Sequence, residues 1–313
     1  MRTAMPRVLP AVPAVVAVLA GVVLLTACGS QTSGAPGGGA PDDAAGQPRM
    51  SPPQGLPGDP DGLEKDGVRI TGLSEPPRSG DPAPATVTFE VANGEAESFT
   101  YTVTFSLVSE SGAVLINTDH TVPAVGAGRT VTGTVALDAE HRPDAIDGVQ
   151  ARIAEVRRVP TDEAPAETGP CPSSGVRLTA DDGDAAMGLR VVGLHLENCG
   201  TGDFRLDGYP LLEVLDEART PVSGVRVLRG SGGISTVTGF DDPPQPVTLK
   251  PGETASAALM WRNTTEAGAP VNAPYIRARP KPGAGPVMLT PELDLGTTGK
   301  LGVSPWKKDD GTR

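Results

Sequence analysis

Aromatic side chains are scarce in this sequence: five Phe, three Tyr and two Trp among 313 residues. With hydrophobic residues at 38% in all, the chain can fill modest cores but not one large one. Histidine is scarcer still, and the three present, His120, His141 and His195, share no ligand-type spacing. HExxH and paired CxxC motifs are absent, which removes the common zinc signatures. GxSxG is missing too, and GSGG at 230–233 lacks its spacing. GTTGKLG at 296–302 lacks the first glycine of a phosphate loop and the Ser or Thr that should follow Lys300. From these absences we expect no metal, no cofactor and no catalytic residue. Positive charge is outweighed, with 26 Lys and Arg against 38 Asp and Glu. The resulting field is repelled by phosphate backbones and anionic lipid headgroups, so nucleic acid is not expected as a partner.

One apolar run stands out. Ala14–Leu25 reads AVVAVLAGVVLL and follows Arg2 and Arg7, the layout of a secretion signal. No later segment is long and apolar enough to span a bilayer. LLTACGS comes next, and Cys28 has three readings: a thiol in an uncleaved membrane helix, half of a disulfide, or a lipid attachment point. The apolar run is short for a span, and Pro10 and Pro13 interrupt its start. Leu25-Thr26-Ala27-Cys28 resembles the lipobox of bacterial lipoproteins. That resemblance implies a diacylglyceryl group on Cys28, cleavage after residue 27 and acylation of the new N-terminus. Acyl chains contribute ~0.8 kcal/mol per buried methylene to membrane binding. Removing residues 1–27 takes away two Arg and no acid, moving the formal charge from −12 to −14.

Residues 28–63 are rich in Gly and Pro and nearly free of large apolar groups. Such a segment cannot bury enough surface to offset its ordering entropy. It reads as a flexible tether, with an r.m.s. span of roughly 30 Å. The texture then changes. TVTFEVAN, FTYTVTFSLVSE and RTVTGTVALD alternate apolar and polar residues, the period of half-buried strands. GVQARIAEVRRV closes this stretch. PTDEAPAETGP over 160–170 reads as a second linker. AMGLRVVGLHLEN follows, with an expected bulge where the phase slips at 191–193. DFRLDGYPLLEVLDEARTPV, VTLKPGETASAALMWRN, YIRARPKP and VMLTPELDL continue the strand pattern. The expected fold is all-β: two antiparallel immunoglobulin-like sandwiches at 64–160 and 171–306, a linker at 161–170 and a tail at 307–313. The halves are faintly alike. Asn93 precedes Phe99 as Asn198 precedes Phe204, and AGRTVTGTVAL matches PGETASAALMW when Gly128 is set against Gly252.

Cys171, AMGLRVVGLHLENCG, RLDGYP, LKPGE, LMWRN and LDLGTTGKLGVSPW together resemble a domain-of-unknown-function family found in actinobacterial lipoproteins and secreted proteins. The resemblance covers about residues 171–306. It implies a compact exported β-sandwich with a cysteine pair, here Cys171 and Cys199, and it supplies no catalytic residue. Exported cysteines meet an oxidising compartment and should bond; two unrelated free thiols are the alternative. Trp261 and Tyr209 are either core and corner groups or the lining of a ligand groove. Arg277, Arg279 and Lys281 alternate on one strand face, either solvated or meeting an acidic partner. Asp181-Asp182-Gly183-Asp184 reads as an acidic turn that does not match a calcium loop.

The sequence thus points to a protein lipid-anchored on the outer face of a cell membrane. Its role would be non-catalytic, binding or structural, with an envelope protein or a wall polymer as partner. A wall- or polysaccharide-active hydrolase is the alternative, and it would need paired carboxylates about 5–10 Å apart. An envelope assembly accessory working by edge-strand pairing is a third reading.

Overall fold

The computed structural model describes residues 62–74, 84–137, 149–237 and 239–310. The signal segment, Cys28, nearly all of the tether and His141 lie outside these residues. The described chain is all-β, and no helix occurs among the described residues.

The first module holds β1 (Glu64–Lys65), β2 (Val68–Ser74), β3 (Ala85–Ala92), β4 (Phe99–Ser109), β5 (Val114–Val125), β6 (Thr130–Leu137) and β7 (Val149–Pro160). One sheet runs β1-β2-β3-β6 and the other β5-β4-β7. The alternation explains both. In β3, Ala85, Val87, Phe89 and Val91 are buried while the Thr and Glu between them are not. In β4, Phe99, Tyr101, Val103, Phe105 and Leu107 face the same core. Two inner faces of this kind close on each other because each removes the other from water.

The second module holds β8 (Val176–Ala180), β9 (Asp184–Ala186), β10 (Leu189–Asn198), β11 (Phe204–Leu206), β12 (Leu211–Leu215), β13 (Arg226–Arg229) and β14 (Val247–Leu249). It continues with β15 (Thr254–Arg262), β16 (Asn272–Ala273), β17 (Tyr275–Arg279), β18 (Val287–Leu289), β19 (Leu293–Asp294), β20 (Lys300–Val303) and β21 (Lys307–Lys308). Its main sheet runs β13-β20-β15-β10-β8, with β13 and β20 parallel. The opposite face is built from β11-β14 and β12-β17-β18. Trp261, Trp306 and a set of Leu and Val side chains fill the core between them. The chain does not leave the sheet at Trp306, because Lys307 and Lys308 pair with Ser256 and Ala255.

The pairing of β10 with β15 runs from Leu189↔Arg262 to Glu197↔Thr254 without a shift. On its other side the register slips by one residue between Val191↔Asp184 in β9 and Leu194↔Ala180 in β8. The irregularity expected at 191–193 is therefore there, with the extra residue in the partner rather than in β10. The β15 side adds to the apparent phase slip. Val192 faces the core, while Val191 lies opposite Met260, whose side chain is fully buried on the outer face. Gly230, Ile234 and Phe240 cover that face: a Cβ on Gly302 would sit 2.7 Å from the Gly230 carbonyl oxygen and within 3.5 Å of Phe240 and Ile234. Apolar residues are therefore needed on both faces there, and simple alternation breaks down.

The two modules are built on one plan. Asn93 donates its amide to the carbonyls of Glu97 (2.7 Å) and Val125 (2.8 Å), and its oxygen accepts from Glu95 N–H (3.0 Å). Asn198 donates to Gly202 and Leu249 (both 2.8 Å) and accepts from Gly200 N–H (3.2 Å). The backbone N–H of Asn93 reaches Arg129 O, and that of Asn198 reaches Glu253 O. With Val125 set against Leu249 and Arg129 against Glu253, every partner corresponds. Strand registers agree as well: Ala92↔Thr130 matches Glu197↔Thr254, and Phe99↔Val125 matches Phe204↔Leu249. The faint sequence likeness is thus a shared strand order, register and buried Asn corner.

Candidate functional site

A repeated scaffold makes its own control, because function is best sought where one copy departs from the other. In the first module β4 runs unbroken for 11 residues and pairs with β7 along its whole length. The corresponding strand of the second module is cut into β11 and β12 by Asp207-Gly208-Tyr209-Pro210. Gly208 takes a left-handed φ of 80°, and Pro210 has no N–H for a ladder. Its neighbour also stops early. β17 ends at Arg279, and Pro280 and Pro282 follow, neither able to donate. Among the described residues β11 therefore pairs with β14 on one side and with no strand on the other.

A groove of about 280 Å³ opens there. Arg205 and Leu206 of β11 line it with Asp207 of the break, Val247 and Thr248 of β14 with the preceding Pro246, and Lys281 and Pro282 of the β17–β18 loop. Lys281 spans the gap. Its ammonium donates to the Arg205 carbonyl at 2.9 Å, the place of a missing backbone N–H. It also sits 3.8 Å above the centre of the Phe204 ring, a cation–π contact. The Arg205 side chain is exposed and has no acidic partner among the described residues.

The residues singled out from sequence fall in several places. Cys171 and Cys199 are joined by a disulfide with their Cα atoms 5.6 Å apart. It links the entry to the module with the end of β10. Trp261 is buried in the core, and its indole N–H donates to Asp294 Oδ1 at 2.6 Å. Asp294 also accepts from Asn263 (3.1 Å) and Arg190 (3.3 Å). Tyr209 is half-buried at the strand break, with the Arg229 guanidinium 5.5 Å from its ring centre. Arg279 is half-buried without an acidic partner among the described residues. Arg277 is engaged: Glu163 accepts from it at 2.8 Å and Glu213 at 3.2 Å. The Glu163 hydrogen bond holds its guanidinium above the usual arginine range.

Glu163 belongs to the segment 161–170 between the modules, and this segment is docked. Its carbonyl accepts from Met288 N–H at 2.7 Å, and Thr161 N–H reaches Ser98 O. Val159, Leu215, Tyr275 and Met288 form a small apolar cluster across the seam. Arg157 pairs with Glu292, and the Arg219 guanidinium lies 4.5 Å over the Phe99 ring. Beneath it, burial pushes the Tyr101 hydroxyl upward, opposed by the neighbouring Arg158.

A second polar cluster lies on the outer face of the main sheet. Asp181 accepts from the amides of Gly183 and Gly193, and its other oxygen meets His195 Nε2 at 3.1 Å. His195 stands between Thr179 and Ser256 in register. Acid, imidazole and hydroxyl are thus neighbours, but the pair is about half exposed, at 46% and 53%. Nothing there excludes water or gathers donors for a developing oxyanion, as acyl transfer requires. Among the described residues no three His, Cys, Asp or Glu side chains are grouped to hold a metal.

Residues 171–307 match the model of a family described as a domain of unknown function (DUF4232). No curated protein matches the sequence. Among solved structures, the chain is similar to red sea bream transglutaminase at 10% identity and a TM-score of 0.19, covering 77% of this chain and 31% of that one. It is similar to an exo-β-D-glucosaminidase at 18% identity and a TM-score of 0.21, covering 66% of this chain and 25% of that one. The chain thus spans a third or less of the length of either structure, and nothing about activity follows from such distant likenesses.

Proposed function

We propose that this protein is a non-catalytic binding module held on the outer face of a cell membrane by a lipid on Cys28. The observation that carries the binding role is the departure of the second module from the first: the same scaffold, cut open at 207–210 into a groove with an unneutralised Arg205. The break also seats Trp306, whose backbone N–H reaches the Gly208 carbonyl and whose indole reaches the Pro280 carbonyl, and loops that interrupt a rigid scaffold are where binding residues collect. The anchor is supported by the apolar run before Leu25-Thr26-Ala27-Cys28, and the joined Cys171 and Cys199 suit an exported chain. In this reading the first module is a docked stem that carries the second away from the membrane.

Mass spectrometry of the mature N-terminus tests the anchor. Acyl mass on Cys28 and loss of residues 1–27 are expected, and Cys28→Ser should release the protein into the medium. Unchanged processing and localisation in that variant would refute the anchor. Turnover of purified wall material by the intact protein would refute the non-catalytic role.

A further inference from the structure

A strand bordered on one side leaves backbone groups that another extended chain can complete. β11 is such a strand. Where the first module places β7, the second offers only a side-chain donor, Lys281, to the Arg205 carbonyl. The vacancy has a charge: Arg205 and Lys281 flank it, while the whole chain carries −12. Asp207 is the one acid in the lining, and it pairs with neither cation among the described residues. Apart from Thr248, the remaining walls are apolar, from Leu206, Pro246, Val247 and Pro282. At about 280 Å³, the space lies near the small end of ligand pockets. It offers a sugar no ring to stack on, since Lys281 covers the face of Phe204.

We infer that this groove captures an extended acidic peptide segment. The segment takes the strand position beside β11, its backbone N–H replacing the Lys281 ammonium at the Arg205 carbonyl, and sets one carboxylate between Arg205 and the released Lys281. Main-chain pairing supplies affinity and the two cations supply selection. Elsewhere the acidic surface repels the same ligand, which confines it to this site. This deepens the binding-module reading and rests on it.

The test uses the intact protein in detergent and fluorescence anisotropy of a labelled pentapeptide, acetylated and amidated, with the order valine, glutamate, valine, aspartate, valine. Its partner probe carries glutamine and asparagine in place of the acids. The acidic probe should bind saturably and weaken as salt rises, and the amide probe should bind at least about tenfold more weakly. Arg205→Ala should cost about tenfold and Arg205→Lys less. Arg226→Ala, an exposed cation on β13 outside the groove lining, should change nothing. Equal binding of both probes, no saturation, or full affinity in an Arg205→Ala protein with an unchanged thermal midpoint would overturn the inference. Displacement of the peptide by an equal charge concentration of polyglucuronate would overturn it in favour of a polysaccharide. The anchoring experiment is unaffected by any of these outcomes, so the groove can fail while the surface protein stands.

Discussion

At the scale of single residues, the two buried asparagines do comparable work. Each satisfies two carbonyls and one amide that bend the chain between sheets. Replacing Asn198 with Leu leaves the Gly202 and Leu249 carbonyls without donors inside the fold. We expect a loss of about 2–4 kcal/mol from two orphaned buried groups, read by urea denaturation, and a similar loss for Asn93→Leu. A change under 0.5 kcal/mol would mean that water replaces the amide at these corners. A second residue-level prediction concerns Glu253. Its carboxylate accepts from Lys308, and that bond, with Lys250 N–H, holds its pKa below the ordinary value. A lowered carboxylate stabilises above its unfolded pKa and loses that contribution as pH falls through the folded one. The effect should therefore appear below about pH 4.5, the ordinary value. Amide exchange at Asp309, which bonds Thr254 O, should rise there beyond its intrinsic rate. Glu253→Gln should remove that pH dependence.

At the scale of elements, Gly302 on β20 shows how an inserted loop constrains the strand beneath it. Any Cβ there meets the Gly230 carbonyl at 2.7 Å, so Gly302→Ala must displace backbone. A cost of about 1–3 kcal/mol is expected from overpacking, measured by thermal or chemical melting. The same sheet shows what was legible in the sequence. β3 and the first part of β4 could be read because one face is buried and the other is not, which imprints period two; in β6 only Val135 and Leu137 are buried, and Val131 is exposed. The slip at 191–193 in β10 marks where its partner changes from β9 to β8 with a one-residue shift in register. The groove was half visible: Gly208, Pro210, Pro280 and Pro282 mark where ladders stop, but not that the two stops face each other. Of the alternating Arg277, Arg279 and Lys281 stripe only the first two lie on one strand, β17, while Lys281 falls in the loop beyond it, and the three have different company. Arg277 meets Glu163 across 114 residues, a separation that no local pattern reports.

At the scale of the molecule, the seam decides whether the two modules behave as one body. Arg277 joins β17 to Glu163 of the connecting segment and to Glu213 of β12, with Met288 and Tyr275 packed beside it. Arg277→Ala would leave Glu163, with a side chain 15% exposed, without its cation. We expect a loss of about 1–2 kcal/mol for this partly buried pair. Calorimetry should then split a single transition into two, and one unchanged transition would argue that the apolar cluster alone couples the modules. Reduction of Cys171–Cys199 should lower the second module's transition selectively. The 28-residue separation corresponds to roughly 3.5 kcal/mol in the chain-entropy account.

β20 sits between β13 and β15, β21 pairs β15 as well, and Trp306 closes the core. The second module thus keeps its middle open for residues 300–308, threading them in after their neighbours have been made. A nascent chain emerging N-terminus first can complete the stem early but must leave the groove-bearing half unfinished until those nine residues arrive. Assembly order is thereby written into the sheet: the module that carries the groove is the one that matures last.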